Sequence, residues 1–92
     1  GASLFRPGAP RLDVTPPKVT VADTVGAGDT FTAGLLTGLL DAGVRKVADL
    51  SGLADDAWNR VLTFAATAAA LNCTRAGCNP PLRAEVRAFL AA

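Results

Sequence analysis

The sequence contains no histidine and only two cysteines, Cys73 and Cys78, with Gly77 between them. A structural zinc site needs four ligands, usually cysteine and histidine, and two thiols alone argue against one. A disulfide across so short a loop would need an oxidising compartment. We therefore expect both cysteines to be free thiols.

An excess of charge of one sign is also absent. Nine basic and eight acidic residues are spread along the chain and give a net charge of +1. Nucleic-acid binding needs a basic patch or stripe, so we expect no nucleic-acid partner. No uninterrupted apolar run approaches the ~20 residues that span a bilayer, and the start has no signal-peptide pattern. We expect no membrane partner and a cytoplasmic location.

The 92 residues, half of them hydrophobic, are typical of one small globular unit. Residues 2–5, 11–14 and 18–22 alternate or cluster apolar side chains between proline-rich and glycine-rich turns, which predicts three edge-like strands. Three predicted helices follow, and they offer more apolar surface than three short strands can cover. We therefore expect a section of a larger α/β layer structure, with further sequence before residue 1.

The first helix is predicted over residues 28–41, with Gly43 at its C-terminal end and with Gly34 and Gly38 allowing close packing. The second begins near Asp55 and has an alanine-rich surface over residues 65–70. That surface fits either a buried helix pressed on a neighbour or a flat wall for a planar ring. The last helix is predicted over residues 82–90. The apolar residues that we expect it to bury are Leu82, Val86, Phe89 and Leu90.

The most informative stretch is residues 23–34, DTVGAGDTFTAG, where a predicted strand becomes the first helix. The first N–H groups of a helix have no partner within it and attract anions such as phosphate. Gly26 and Gly28 let the backbone come close to such a ligand. Asp29, in the first helical turn, would stand beside it, and a carboxylate in that place suggests proton removal.

Three phosphate-binding patterns compete for this stretch. A P-loop needs a lysine where Asp29 stands, and a dinucleotide-binding fingerprint needs a third glycine where Phe31 stands. The remaining pattern has an acid directly after the glycine turn, so that N–H groups hold a transferring phosphoryl group while the acid accepts a proton. A non-catalytic interpretation stays open, in which Asp29 is a helix cap or first-turn carboxylate that stabilises by about 0.5–2 kcal/mol.

Residues 23–31 resemble the C-terminal signature of the ribokinase or PfkB-type carbohydrate kinases. Residues 1–5 resemble the strand after that family's nucleotide loop, and residues 72–81, NCTRAGCNPP, resemble its late adenine-side and cation loop. The resemblance covers all 92 residues, as the C-terminal portion of such a kinase. The NCTR and NPP elements are most similar to the bacterial fructokinase branch.

The resemblance implies the C-terminal part of a ribokinase-like three-layer α/β/α fold and ATP-dependent phosphorylation of a sugar hydroxyl. Asp29 would be the general base, and Gly26, Ala27 and Gly28 would form the anion hole for the transferring phosphoryl group. Magnesium would bridge the ATP phosphates. The partners would be a sugar and ATP, and the full-length enzyme could form a homodimer.

In family members that use a monovalent cation, usually potassium, the ligands would match five positions here. These are the Asp23 side chain and the backbone oxygens of Val25, Asn72, Arg75 and Gly77. Pro81 departs from the pattern, because a serine often adds an oxygen there. The adenine would contact Ala65, Ala66 and Ala69 by packing, since Ala66 stands where ribokinases have a polar residue.

In this family the sugar is held mainly by the N-terminal portion and a small β-sheet lid, and the nucleotide loop precedes the segment seen here. We therefore expect these 92 residues alone to have no appreciable kinase activity. The alternative function is a non-catalytic kinase remnant that binds nucleotide or serves in assembly. A small dinucleotide-binding domain is a third interpretation, which fails at Phe31.

Overall fold

Two short strands come first in the chain and three α-helices follow, as a computed structural model describes for all 92 residues. This order confirms the α/β class and the placement of strands before helices. The elements are β1 (Ala2–Leu4), β2 (Leu12–Val14), α1 (Ala27–Asp41), a 3-10 helix (Val47–Gly52), α2 (Asp55–Cys73) and α3 (Arg83–Ala91).

The two strands form an antiparallel pair in which Ala2 lies opposite Val14 and Leu4 lies opposite Leu12. Because side chains alternate between the faces of a strand, these four residues share one face. Val14 is buried and packs in the core with Leu62 of α2. The small sheet is therefore held against α2 by its apolar face.

The third strand, predicted at residues 18–22, is wrong. These residues pass the end of α2, where the N–H groups of Ala22 and Asp23 donate to the Cys73 carbonyl at 2.8 and 3.1 Å. A strand needs a neighbouring strand to pair its backbone groups, and none lies beside this segment. Instead, Val19 and Val21 line a groove against the C-terminal half of α2.

Helices α1 and α2 pack closely because α1 presents glycine to α2. A Cβ atom on Gly34 would lie 3.0 Å from the Cα atom of Ala65, and one on Gly38 would lie 3.2 Å from a methyl group of Val61. Ala65 has no exposed surface as a result. The close packing predicted for these glycines and for the alanine-rich surface is confirmed at this contact.

The C-terminus of α1 also follows the prediction. Gly43 has a φ of 90°, its N–H group donates to the Leu40 carbonyl, and the N–H group of Val44 donates to the Leu39 carbonyl, both at 3.0 Å. This pair of bonds is a Schellman motif, and it needs a residue that tolerates a positive φ.

The burial predicted for the last helix is mostly wrong. Val86 is buried, whereas Leu82, Phe89 and Leu90 are exposed. Helix α3 has only nine residues, and Val86 is the one residue among them that the packing buries. None of the helices combines the length and the apolar character needed to cross a bilayer.

Candidate active site

The glycine turn before α1 is a sharp backbone reversal that ends at Gly26. Gly26 is the N-cap residue of α1 and has a φ of 80°, in the left-handed region that favours glycine. The N–H group of Ala27 donates to the Thr24 carbonyl at 3.2 Å, and that of Thr30 donates to the Gly26 carbonyl at 2.9 Å. A Cβ atom on Gly26 would lie only 2.4 Å from the Cys78 sulfur. Any larger residue would therefore displace the turn or the loop beside it.

Backbone donors are free at this helix start. The N–H groups of Gly26, Gly28 and Asp29 donate no hydrogen bond within the chain, and no side chain caps the helix. Apart from the backbone of α1 itself and the residues next to Gly28, no heavy atom lies within 4 Å of the position that a Cβ atom on Gly28 would take. Free N–H groups at the positive end of a helix dipole are suited to an anion.

The predicted anion-hole residues differ in how their N–H groups are used. Those of Gly26 and Gly28 are free, whereas that of Ala27 already donates to the Thr24 carbonyl within the turn. The N–H group of Asp29 is a further free donor that the sequence pattern did not indicate. That this donor is free could have been foreseen, because the first four N–H groups of any helix lack internal partners.

Asp29 lies in the first turn of α1, three residues after the N-cap. Its side chain is exposed and makes neither a hydrogen bond nor an ion pair within the chain. The N-cap is Gly26, so Asp29 stabilises the helix only as a first-turn carboxylate near the positive end of the dipole. The carboxylate has no hydrogen-bond or ion-pair partner and is in the same helical turn as the free N–H groups, as a proton acceptor in phosphoryl transfer would need to be.

Asp23 joins the glycine turn to the loop after α2. One carboxylate oxygen accepts the N–H group of Val25 at 3.0 Å, and the other accepts that of Gly77 at 2.9 Å. These backbone hydrogen bonds hold the pKa of Asp23 below its usual range, and the bond from the Val25 N–H group contributes most. Asp23 therefore stabilises the turn through its own hydrogen bonds.

Asn72 makes a second connection between the turn and the loop. Its side chain is completely buried near the end of α2, where Nδ2 donates to the Val25 carbonyl at 2.8 Å. Its Oδ1 accepts the N–H group of Asn79 at 3.0 Å. The sequence pattern indicated only the backbone oxygen of Asn72, although a carboxamide within an alanine-rich apolar helix is itself a signal of a buried polar contact.

The model of the pfkB family carbohydrate kinases matches residues 1–85, a range that contains the glycine turn, both helices beside it and the loop after α2. The chain belongs to the PfkB family. A search of curated proteins found no match. Membership relates the chain to kinases that act on carbohydrates.

The five positions predicted as ligands of a monovalent cation lie around this same connection. Asp23 and Val25 contact Gly77 and Asn72 as described, and the N–H group of Arg75 donates to the Asn72 carbonyl at 3.2 Å. The oxygens of Asp23, Val25 and Asn72 thus already accept hydrogen bonds within the chain. Each has a second lone pair, so a cation at these oxygens is chemically permitted and stays a prediction.

The three alanines predicted on the adenine side do not share one surface. Ala65 is fully buried and faces Gly34 of α1. Ala66 and Ala69 line the groove of about 570 Å³ that lies between α2 and residues 16–21. An adenine contact is therefore open to Ala69 and to the edge of Ala66, while Ala65 is enclosed by the helix packing.

No group of three or more His, Cys, Asp or Glu side chains is arranged to hold a metal ion. Both cysteines are free thiols, with Cys78 exposed and Cys73 half-buried. Cys73 lines the groove between α2 and residues 16–21, and Cys78 contacts the glycine turn.

Proposed function

We propose that residues 1–92 are the C-terminal portion of an ATP-dependent sugar kinase and that they supply its catalytic base and anion hole. The observation that carries this proposal is the start of α1, where the free carboxylate of Asp29 lies beside N–H groups that have no partner. Family membership supports the substrate class, a carbohydrate.

In the proposed reaction, a sugar hydroxyl oxygen attacks the γ-phosphorus of ATP, and its proton passes to the Asp29 carboxylate. The bond between the γ-phosphorus and the bridging oxygen breaks, so that ADP leaves with that electron pair. Negative charge on the transferring phosphoryl oxygens is stabilised by the N–H groups of Gly26 and Gly28. An ordinary carboxylate suffices as the base, because the hydroxyl becomes acidic as its oxygen bonds to phosphorus.

We propose that ATP extends from the groove beside α2 to the glycine turn before α1. We place the adenine in the groove between α2 and residues 16–21, whose volume lies within the range of about 300–1,000 Å³ that is usual for small-molecule sites. Cys73 lies in the groove, and its carbonyl accepts the N–H group of Asp23 at the start of the turn. A nucleotide with its base in the groove could thus direct its phosphates toward Gly26 and Gly28.

Magnesium enters this proposal only with ATP, as the metal–nucleotide substrate. The chain offers no carboxylate cluster for the ion, and no step is assigned to a protein-bound metal. Bound to the nucleotide, magnesium would bridge and partly neutralise the phosphates. We propose that potassium, where it is used, binds between the glycine turn and the loop after α2, at Asp23, Val25, Asn72, Arg75 and Gly77. We also propose a fructokinase-like enzyme, because residues 72–75 and 79–81 resemble that branch of the family.

A coupled assay of ADP formation tests the proposal. The full-length kinase is assayed with MgATP against a panel of sugars and related alcohols, and residues 1–92 alone are assayed in parallel. We expect sugar-dependent turnover by the full-length protein and none by the 92 residues. Nucleotide binding without turnover on any sugar would favour the non-catalytic alternative. Sugar-dependent activity of residues 1–92 that Asp29→Ala abolishes would refute the division of roles.

A further inference from the structure

We propose that Asn72 is a positioning residue for the anion hole, acting through its side chain on the Gly26 N–H group. This inference rests on the proposed function, since it concerns the same phosphate-binding turn. Asn72 does not contact the reacting atoms. Its side chain fixes the direction of the Gly26 N–H group, which contacts the transferring phosphoryl group.

The effect passes through a single peptide unit. The Val25 carbonyl, which accepts from Asn72 Nδ2 at 2.8 Å, and the Gly26 N–H group belong to the same planar peptide. The chain has no cis peptide bond, so the carbonyl and the N–H group point in opposite directions. Holding the Val25 oxygen toward Asn72 therefore turns the Gly26 N–H group away from Asn72.

The peptide between Val25 and Gly26 could rotate without a bond that holds it. Gly26 has a φ of 80° and no Cβ atom, so rotation of the preceding peptide meets little steric resistance at this residue. The Gly26 N–H group has no hydrogen-bond partner of its own within the chain. The bond from Asn72 is the only hydrogen bond that the Val25 carbonyl makes, and so it sets the orientation of this peptide.

The orientation of the Asn72 carboxamide is itself fixed. The side chain is completely buried, and its Oδ1 accepts the N–H group of Asn79 at 3.0 Å. Turning the carboxamide over would set its NH₂ group against the Asn79 N–H group and its oxygen against the Val25 carbonyl. Both pairings would leave buried polar groups unsatisfied, so only the observed orientation is stable.

Asp23 holds the neighbouring peptide in a complementary way. Its carboxylate accepts the N–H group of Val25 at 3.0 Å, which fixes the peptide between Thr24 and Val25. Asn72 fixes the next peptide, between Val25 and Gly26. Two successive peptides of the turn are thus held by two side chains, one charged and one neutral.

The test compares Asn72→Leu with Asn59→Leu in the full-length kinase. Asn59 lies on the same helix, is exposed and makes only a 3.5 Å contact with Thr63, so it is a matched control. Calorimetry measures binding of MgADP, which lacks the transferring group, and of MgADP with aluminium fluoride, which imitates it. Steady-state kinetics give kcat and the KM for the sugar.

We expect Asn72→Leu to weaken binding of the aluminium fluoride complex by about 10-fold or more. Once the Gly26 N–H group is misdirected, it no longer donates a hydrogen bond to the group that imitates the transferring phosphoryl group. Its affinity for MgADP should change by less than about 3-fold, and kcat should fall much more than KM rises. Asn59→Leu should alter none of these values. Equal weakening of both ligands, or no weakening of either, would overturn the proposal.

Two further variants keep the outcome decisive. If Asn72→Leu does not fold, Asn72→Ser takes its place, because serine is too short to reach both the Val25 carbonyl and the Asn79 N–H group; the same results support or overturn the proposal. Asp29→Asn separates this inference from the proposed function. Loss of turnover in Asp29→Asn with unchanged analogue binding in the Asn72 variants would refute the positioning role alone.

Discussion

Replacing Gly26 with alanine perturbs the turn in two separate ways whose sizes follow from the structure. The backbone there has a φ of 80°, and placing an L-residue in that region costs about 1–2 kcal/mol. The new Cβ atom would also lie 2.4 Å from the sulfur and 3.0 Å from the Cβ atom of Cys78. Overpacking of this kind typically costs about 1–3 kcal/mol. We expect Gly26→Ala to lower the free energy of unfolding by about 2–5 kcal/mol.

Urea unfolding of the protein, followed by the fluorescence of Trp58, measures this change. Trp58 is the only tryptophan in residues 1–92 and is buried in the native state, so its emission reports loss of the α2 packing. Gly28→Ala is the matched control, since no heavy atom lies near the added Cβ atom. In a helix this control should be neutral or stabilise by up to about 1 kcal/mol.

A double variant separates the two contributions. Cys78→Ala removes the sulfur atom that the new Cβ atom would meet, but it leaves the φ of Gly26 unchanged. Combined with Gly26→Ala, it should recover about 0.5–3 kcal/mol relative to the sum of the single variants. A stability of Gly26→Ala equal to that of the unaltered protein, or strict additivity in the double variant, would refute this explanation of the turn.

Two further predictions concern the helix contact and the acid behaviour of the turn. Gly34→Ala should lower the free energy of unfolding by about 1–3 kcal/mol, because its Cβ atom would lie 3.0 Å from the Cα atom of Ala65 and no side-chain rotation can relieve that contact. A neutral result in the same urea assay would contradict the close packing of α1 on α2. The pKa of Asp23 is lowered by the N–H groups of Val25 and Gly77, so its stabilisation is complete above its unfolded pKa, about 4, and is lost as pH falls through the lower folded pKa. Asp23→Asn should therefore be less stable than the unaltered protein at pH 7, by a margin that shrinks toward pH 2; a margin independent of pH would exclude the ionised carboxylate as its source.

Local patterns were enough to predict the helices and the glycine turn. The apolar spacing of α1, the terminal Gly43 and the acid at Asp55 each act within a few residues, and the structure has helices where they indicate. The close contact at Gly34 also followed from sequence, because only small residues permit backbones to approach. These features depend on backbone geometry and side-chain size, which the sequence states directly.

The features that sequence did not predict depend on partners distant in the chain. Residues 18–22 alternate valines as a strand would, but no strand is available to pair with them, and the end of α2 accepts their N–H groups instead. Burial of Phe89 and Leu90 failed because Val86 is the only apolar residue of α3 that the packing buries, while Arg83 and Arg87 reach α1 through ion pairs with Asp41. An amphipathic pattern indicates which side chains could be buried, whereas the neighbours decide which of them are.

The connection through Asn72 shows the same limit within the site. Asn72 and Val25 are separated by 47 positions, so no local pattern relates them. The resemblance indicated the Asp23 side chain but only the backbone oxygen of Asn72, whereas in the structure both side chains join the turn to the loop. The residues of the candidate site could therefore be proposed from sequence, but the hydrogen bonds that organise them could not.

The central claim is that Asp29 accepts the proton of the attacking sugar hydroxyl. It is tested most directly by rapid-mixing measurement of phosphoryl transfer in the full-length kinase carrying Asp29→Asn, with MgATP affinity measured alongside. Asparagine keeps the size of the side chain but cannot accept the proton, so we expect the rate of transfer to fall by about 10²-fold or more while MgATP affinity changes little. A rate of transfer close to that of the unaltered enzyme would contradict the assignment.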